Sequence, residues 1–409
     1  MSAAARVSGV RFFGDELRQA KAYRRGTHRS RAPRETLSAY GPSIARCGIT
    51  RIANVTGLDF IGIPVYTAIR PNSRSLAVSQ GKGLDHDSAK ASAMMEAIEL
   101  WHAEHIEKPV RWESFSYLSR TGGTAVDPNT LPRLREADPD SPRLWIEGFD
   151  LLSERPTCVP LEAVTMNSVG TPERGSDLCI SSNGLASGNH LLEAMVHGLC
   201  EVIERDAEAL WRQGDTFSQL DLSTVRDAYC RQVLDRLASA EVFASAWDLT
   251  SDVNIPSFGC AIMEKPDRSR LRQIGIHYGF GTHLDANVAL SRALTEAVQT
   301  RLTYISGSRD DFFRSDYALN RNLDLLDQIW QEVSSAPTDA AWEDRCHATD
   351  TFEDDLGFML ERLRAVGLDC AVAVDLSRAE IGIPVVKMVV PGLEGPDGLP
   401  GPRALRNQP

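Results

Sequence analysis

Residues 181–207, SSNGLASGNHLLEAMVHGLCEVIERDA, join a glycine-bearing turn to a helix start and a patterned set of carboxylates. Gly184 and Gly188, with Asn183 and Asn189, predict a turn whose backbone reaches φ > 0, and Asn189 is the expected N-cap. At 100° per residue from Glu193, His197 falls at about 40°, Glu201 at about 80° and Glu204 at about 20°. Leu192, Met195, Val196, Leu199, Cys200, Val202 and Ile203 fill the arc from about 180° to about 340°. An acidic stripe therefore borders a wide apolar face. Taken alone, that is the wet side of an amphipathic helix.

Repetition changes the reading. GLDHDSAKASAMMEAIELW, from Gly83 to Trp101, aligns without a gap on HLDANVALSRALTEAVQTR, from His283 to Arg301. Leu-Asp opens both, an Ala-rich helix follows, and Glu96 and Glu99 correspond to Glu296 and Gln299. Glu201 and Glu204 share the i, i+3 spacing that puts two side chains on one helix face. Each helix follows a glycine turn and a β-rich segment holding an aliphatic-Pro step: Ile63-Pro64, Val159-Pro160 and Ile255-Pro256. A fourth step, Ile383-Pro384, begins the last strand region. The fold class is α+β, a hairpin, turn and helix unit repeated with divergence.

Clustered carboxylates repel one another and have raised pKa values unless a cation sits among them. All-oxygen ligands with no Cys or His at zinc spacing favour Mg²⁺, which keeps waters and is shared with phosphates. A Mg-nucleotide site built on helix faces follows. No GxxxxGK[S/T] loop is present, so ATP would bind outside the P-loop scheme.

Ser182-Asn-Gly-Leu-Ala-Ser-Gly-Asn189, Glu193 and Gly198-Leu-Cys-Glu-Val-Ile-Glu-Arg-Asp206 resemble the signature of the YcaO domain family. Gly81-Lys-Gly83, Met95-Glu-Ala-Ile-Glu99, Glu296-Ala-Val-Gln-Thr-Arg301, Ser308-Arg-Asp-Asp311 and Gly382-Ile-Pro extend the resemblance, in family order, over about residues 20 to 395. It implies sheets and helices around a central nucleotide site. It also implies an ATP- and Mg²⁺-dependent enzyme that activates a peptide-backbone amide through its oxygen. Addition of a nucleophile then gives an azoline, a thioamide or an amidine. Glu96, Glu99, Glu201 and Glu204 are the metal-side candidates. Arg29, Thr36, Ser92, Asn183, Glu193, Glu296 and Gln299 are the candidate nucleotide contacts, and Arg205 or Arg301 would stabilise charge developing in phosphoryl transfer. Ser308 and Arg309 could hold a phosphate or close a loop salt bridge. His197 reads as a charge partner of the carboxylates rather than an acid or base.

At 409 residues the chain can bury a large core, and the interleaved repeats argue for one catalytic domain over residues 36–395. Residues 1–35 form a basic arm, 107–155 a looser insertion and 396–409 a flexible tail. A net charge of −12 argues against nucleic acid as a main partner. No apolar run reaches membrane-spanning length and no signal segment is visible, so a cytoplasmic location is expected. The eight cysteines lack any CxxC and fit reduced thiols.

Leu399-Pro-Gly-Pro402 departs from the Pro-x-Pro-x-Pro ending of many azoline-forming members. Val390-Pro-Gly-Leu-Glu-Gly395 and Arg24-Arg-Gly-Thr-His-Arg29 resemble instead members that make thioamides with a TfuA partner. A peptide or protein substrate and a TfuA-like partner are thus expected, and a homodimer is compatible with the reading. An azoline-forming cyclodehydratase acting on Cys, Ser or Thr is one alternative. A non-catalytic nucleotide-binding scaffold is another.

Overall fold

The computed structural model describes residues 9–169, 176–214, 217–269, 273–311, 314–320, 322–338 and 340–395. Helix α1 (Pro33–Tyr40) leads into the antiparallel strands β1 (Arg51–Asn54), β2 (Val65–Ile69) and β3 (Val78–Lys82), and then into α2 (His86–Glu104), on which α1 packs. Asp85 caps α2 by accepting from Ser88 N at 2.7 Å. Strand β3 lies close against α2 because both surfaces are small. A Cβ on Gly81 would sit 2.0 Å from Ala93 N, so only glycine lets strand and helix approach this far.

Residues 107–155 contribute β4 (Val110–Glu113) and β5 (Arg143–Asp150), followed by β6 (Arg155–Pro160). The segment expected as a looser insertion is thus partly built into a sheet. Strand β5 is an inner strand of a sheet, and its Trp145 is fully buried. The period was hidden because a strand buried on both faces need not alternate. Next come β7 (Leu185–Ser187) and α3 (Leu191–Arg212). Helix α4 (Ala228–Ser239), strands β8 (Val242–Asp248), β9 (Ser257–Glu264) and β10 (Ile276–Thr282), and α5 (Ala286–Ser306) then repeat the first unit, with α4 packed on α5. Helix α6 (Phe352–Ala365), β11 (Val372–Asp375) and β12 (Val385–Val389) end the described chain.

The first two units match contact for contact. Gly83 N donates to Pro64 O at 3.2 Å and His283 N to Pro256 O at 3.1 Å. Asp285 caps α5 as Asp85 caps α2, and a Cβ on Gly281 would meet Ala289 O at 2.1 Å.

A third unit is completed out of chain order. Strand β12 pairs antiparallel with both β11 and β7, Gly188 N donates to Pro384 O at 3.1 Å, and α6 packs on α3. The aliphatic-Pro step belonging to α3 is therefore Ile383-Pro384, and not Val159-Pro160 as the linear order suggested. Val159 is buried in β6, which pairs with β5. Among the described residues the strands run β4-β5-β11-β12-β7 in this sheet, with β6 also paired to β5.

The basic N-terminal arm, from residue 9 onward, is docked on the domain. Phe352 N donates to Gln19 O at 2.9 Å, and Lys21 forms a buried ion pair with Asp355. No disulfide links the cysteines, and no helix of the described residues is long and apolar enough to cross a membrane.

Candidate active site

Helices α2, α3 and α5 turn their acidic stripes toward one cavity of ≈ 570 Å³. The pseudo-repeat explains the convergence. Gln80 N faces Glu96 Oε1 at 3.5 Å, and the equivalent Phe280 N faces Glu296 Oε1 at 3.4 Å. In the third unit Ser187 N and Ser187 Oγ donate to Glu99 Oε1 at 2.7 and 2.6 Å, while Thr282 N donates to Glu204 Oε2 at 2.8 Å. Each unit's strand edge thus orients a carboxylate of its own helix or of a neighbouring one.

Burial dominates the electrostatics. It pushes Glu99 up to about 8, with Glu96 and Glu201 adding repulsion, and Glu201 up to about 7 against the pull of Arg205. Glu96 and Glu204 are raised for the same reason. Glu296 differs: burial acts upward, but Lys82 at 2.6 Å and Arg205 outweigh it and hold the carboxyl below its usual range. Arg205 keeps its charge despite burial because Glu296, Glu204 and Glu208 surround it. Burial and the cations Arg29 and Arg292 keep His197 neutral, so it is not the carboxylates' charged partner.

Most of the candidates meet here. Arg29, Thr36, Ser92, Glu96, Glu99, Glu193, Glu201, Glu204, Arg205, Glu296 and Gln299 line the cavity. Glu193 is largely committed to structure, accepting from Ser30 N at 2.9 Å and Ser30 Oγ at 2.6 Å. Thr36 Oγ1 donates to Asn189 Oδ1 at 3.0 Å, which occupies the expected N-cap residue; the cap of α3 is His190, accepting from Leu192 N at 3.2 Å. Two candidates lie elsewhere. Arg301 is buried beside Asp59, at 3.3 Å, and Glu264, on a face of α5 away from the cavity. Asn183 lines a separate small cavity of ≈ 50 Å³ with Lys387. The Arg301 candidacy came from its place beside the motif, but one residue along a helix turns a side chain by about 100°.

Sequence reasoning missed several cations on the cavity wall, Lys82 and Arg292 among them. Lys82 was visible between Gly81 and Gly83, where the glycines serve helix contact and the lysine reaches across to α5. Arg292 Nε has no partner among the described residues, a buried donor that suits an anionic ligand. Arg309 also lines the cavity, although its Nε donates to Asp311 Oδ1 at 2.8 Å.

The residues fit Mg²⁺ and a nucleotide. The wall offers clustered carboxylate oxygens and no cysteine thiol, the donor set of a hard divalent cation. Among the described residues no three potential ligands converge closely enough to cage a metal unaided. That suits Mg²⁺, which takes one or two carboxylates and completes its shell with waters and phosphate oxygens.

The sequence model of the YcaO cyclodehydratase family, described as ATP- and Mg²⁺-binding, matches residues 80–394. The chain belongs to the YcaO family. A relative from Rhizobium leguminosarum bv. trifolii, described as an uncharacterized protein in the tfuA 3′ region, is 36% identical over 376 residues, covering 90% of this chain and 88% of its own. Among solved structures, the YcaO protein of Methanopyrus kandleri bound with AMPPCP and Mg²⁺ superposes with a TM-score of 0.73 at 23% identity, covering 92% of this chain and 94% of that one. A heterocyclase in complex with substrate and cofactor gives a TM-score of 0.77 at 21% identity. It matches 96% of this chain, which spans only 57% of the heterocyclase. These likenesses make the α+β architecture the YcaO fold. The last residues of the chain, including Leu399 to Pro402 and the expected flexible tail, lie outside the described residues.

Proposed function

We propose that this YcaO protein uses ATP and Mg²⁺ to activate a backbone amide oxygen of a peptide, for thioamide formation with a TfuA-like partner. The observation that carries the amide-activating part is the cavity in which three helices set Glu96, Glu99, Glu201, Glu204 and Glu296 against Lys82, Arg205 and Arg292. Carboxylates suit metal ions and the cations suit phosphate oxygens. Bound Mg-ATP would supply an electrophilic phosphorus and the divalent charge that offsets the carboxylates.

The chain's own residues do the rest. Lys82 and Arg205, both tied to Glu296, present fixed positive charge that needs no reorganisation when phosphate charge develops. Ser187 fixes Glu99, and Thr282 N fixes Glu204, so these two acceptors are oriented before anything binds. Cys200, the cysteine on α3, is buried with its thiol pushed up to about 12, and Cys230 and Cys260 are likewise raised by burial. None of these three offers a thiolate nucleophile, which suits a sulfur source supplied from outside.

Support for the thioamide branch is the tfuA-region relative together with the residues that resemble TfuA-associated members. Co-expression with the neighbouring peptide and a TfuA-like protein, followed by mass spectrometry, tests it. A thioamide makes the peptide heavier by the oxygen-to-sulfur difference. Loss of one water would give the azoline reading instead, and no change alongside ATP binding would favour the scaffold.

A further inference from the structure

The cavity is chemically divided along the axis of α2. Its wall uses Ser88, Ser92, Glu96, Glu99 and Leu100, a stripe about 18 Å long at 1.5 Å per residue. At the N-terminal end of α2 the docked basic segment closes the cavity. Arg25 and Arg29 line it there, and Ser30 and Thr36 tie that segment to the start of α3 through Glu193 and Asn189.

The C-terminal end of α2 is different. Met166 N donates to Ala103 O at 3.0 Å and Thr165 Oγ1 to the same carbonyl at 3.2 Å, so that segment packs on the last turn of α2. The 74–77 loop reaches the same turn, since Ser75 bonds Glu104 and Ala77 N donates to Asp310 Oδ2 at 3.1 Å. These contacts bring Leu76, Met95, Leu100 and Met166 together on the cavity wall, with Arg309 beside them. Met95 and Met166 are only partly buried and pack against the core behind them. Along α2 the carboxylates Glu96 and Glu99 stand between the basic end and Leu100, and Met95 flanks them.

We infer that this apolar end is the substrate subsite, taking a side chain next to the activated amide, and that the preferred peptide carries an aliphatic residue there. The inference rests on the amide-activating reading. A nucleotide whose phosphates meet the basic end leaves the far side of the carboxylates open. In-line displacement brings the attacking oxygen from the side opposite the leaving group, which is that far side. Methionine is unbranched and adaptable, so the subsite would admit leucine, isoleucine or methionine and exclude a carboxylate, whose desolvation nothing apolar offsets while the Arg309 guanidinium is engaged by Asp311.

The probe is a pentapeptide amide, Gly-Gly-X-Gly-Gly, with a diazirine-bearing leucine at X, irradiated with the full chain, Mg²⁺ and a non-hydrolysable ATP analogue. Analogue binding is measured separately by calorimetry. The expected label falls on Leu76, Met95, Leu100 or Met166. Unlabelled peptide with leucine at X should displace it at concentrations at least about tenfold lower than peptide with aspartate at X. In Met166→Arg that order should invert. Analogue binding without label at these residues, or with equal displacement by both peptides, overturns the subsite and leaves the nucleotide site standing. Absence of analogue binding overturns the underlying reading instead. Should Met166→Arg fail to fold, the labelling and competition on the unaltered chain still decide.

Discussion

Replacing Glu99 by glutamine should make the ligand-free protein more stable and the enzyme inactive, and the two effects have one cause. Burial lifts the Glu99 carboxyl from 4.5 to about 8. The group therefore favours folding fully only below its unfolded value, and that contribution is lost as pH rises from about 4.5 through about 8. At about pH 7.5 a rise of this size corresponds to about 4 kcal/mol against the folded state, at 1.36 kcal/mol per unit. Water entering the cavity screens part of it, leaving about 1–2 kcal/mol. Glutamine keeps an oxygen for Ser187 N and Ser187 Oγ while carrying no charge. In a chain this long, Glu99→Gln should then melt about 1–2 °C above the parent near pH 7.5, with the gap shrinking toward pH 5. Mg²⁺ with a non-hydrolysable ATP analogue should reverse the order, because a ligand at about 100 times its Kd adds about 2.7 kcal/mol to the protein that binds it. Thermal shift over pH, with and without ligand, reads both effects. A gap independent of pH would refute the burial argument, and equal stabilisation of both proteins by ligand would refute the metal-side role.

Glu201→Ala should abolish Mg-dependent ATP turnover while circular dichroism stays unchanged; near-normal turnover would move the site elsewhere. Arg205→Lys should lower turnover by about 10²-fold, since one ammonium cannot reach Glu208, Glu204 and Glu296 together as the guanidinium does, whereas Arg301→Lys should chiefly lower the melting temperature. Gly281→Val should give insoluble protein, because its side chain would drive into Ala289 O and Ala293 N. Glu104→Ala, which strands buried Arg70, should cost about 3–5 kcal/mol by denaturant titration. Arg70 and Ser75 hold Glu104 below its usual value against burial, so the parent should lose that stability as pH falls below about 4.5 and the difference should narrow in acid.

The local chemistry of the fold was legible, and its wiring was not. Apolar periodicity gave α3, and the Leu-Asp pairs matched α2 with α5, because those signals depend on neighbours in the chain. Pro384 and Gly188 meet across nearly the whole second half of the sequence, so no local pattern could show that β12 completes the unit of α3. Val159-Pro160 had the right composition in the expected place and the wrong partner. Caps failed in a similar way: Asn189 is a good cap by type, but its side chain is occupied by Thr36 and Glu193, and His190 takes the role.

The acidic half of the site could be read because every carboxylate in it sits on a helix stripe with i, i+3 or i+4 spacing. The cationic half was legible only in part: Arg29, Arg205 and Arg309 could be named and Lys82 and Arg292 could not, because its members come from different kinds of element. Lys82 ends a strand, Arg292 lies in the first half of α5, Arg309 follows that helix in a turn, and Arg29 arrives on the basic N-terminal arm. What brings Arg29 in is the clamp of Glu193 on Ser30, backed by the buried Lys21 and Asp355 pair at the far end of the same segment. Glu193 therefore acts through the arm it holds. Glu193→Gln should weaken nucleotide binding less than Glu193→Ala, since the amide oxygen still accepts from Ser30 N. Calorimetry with the ATP analogue on both variants checks this: equal losses would mean that the carboxylate charge itself meets the ligand, and no loss in either would mean that the arm contributes nothing to the site.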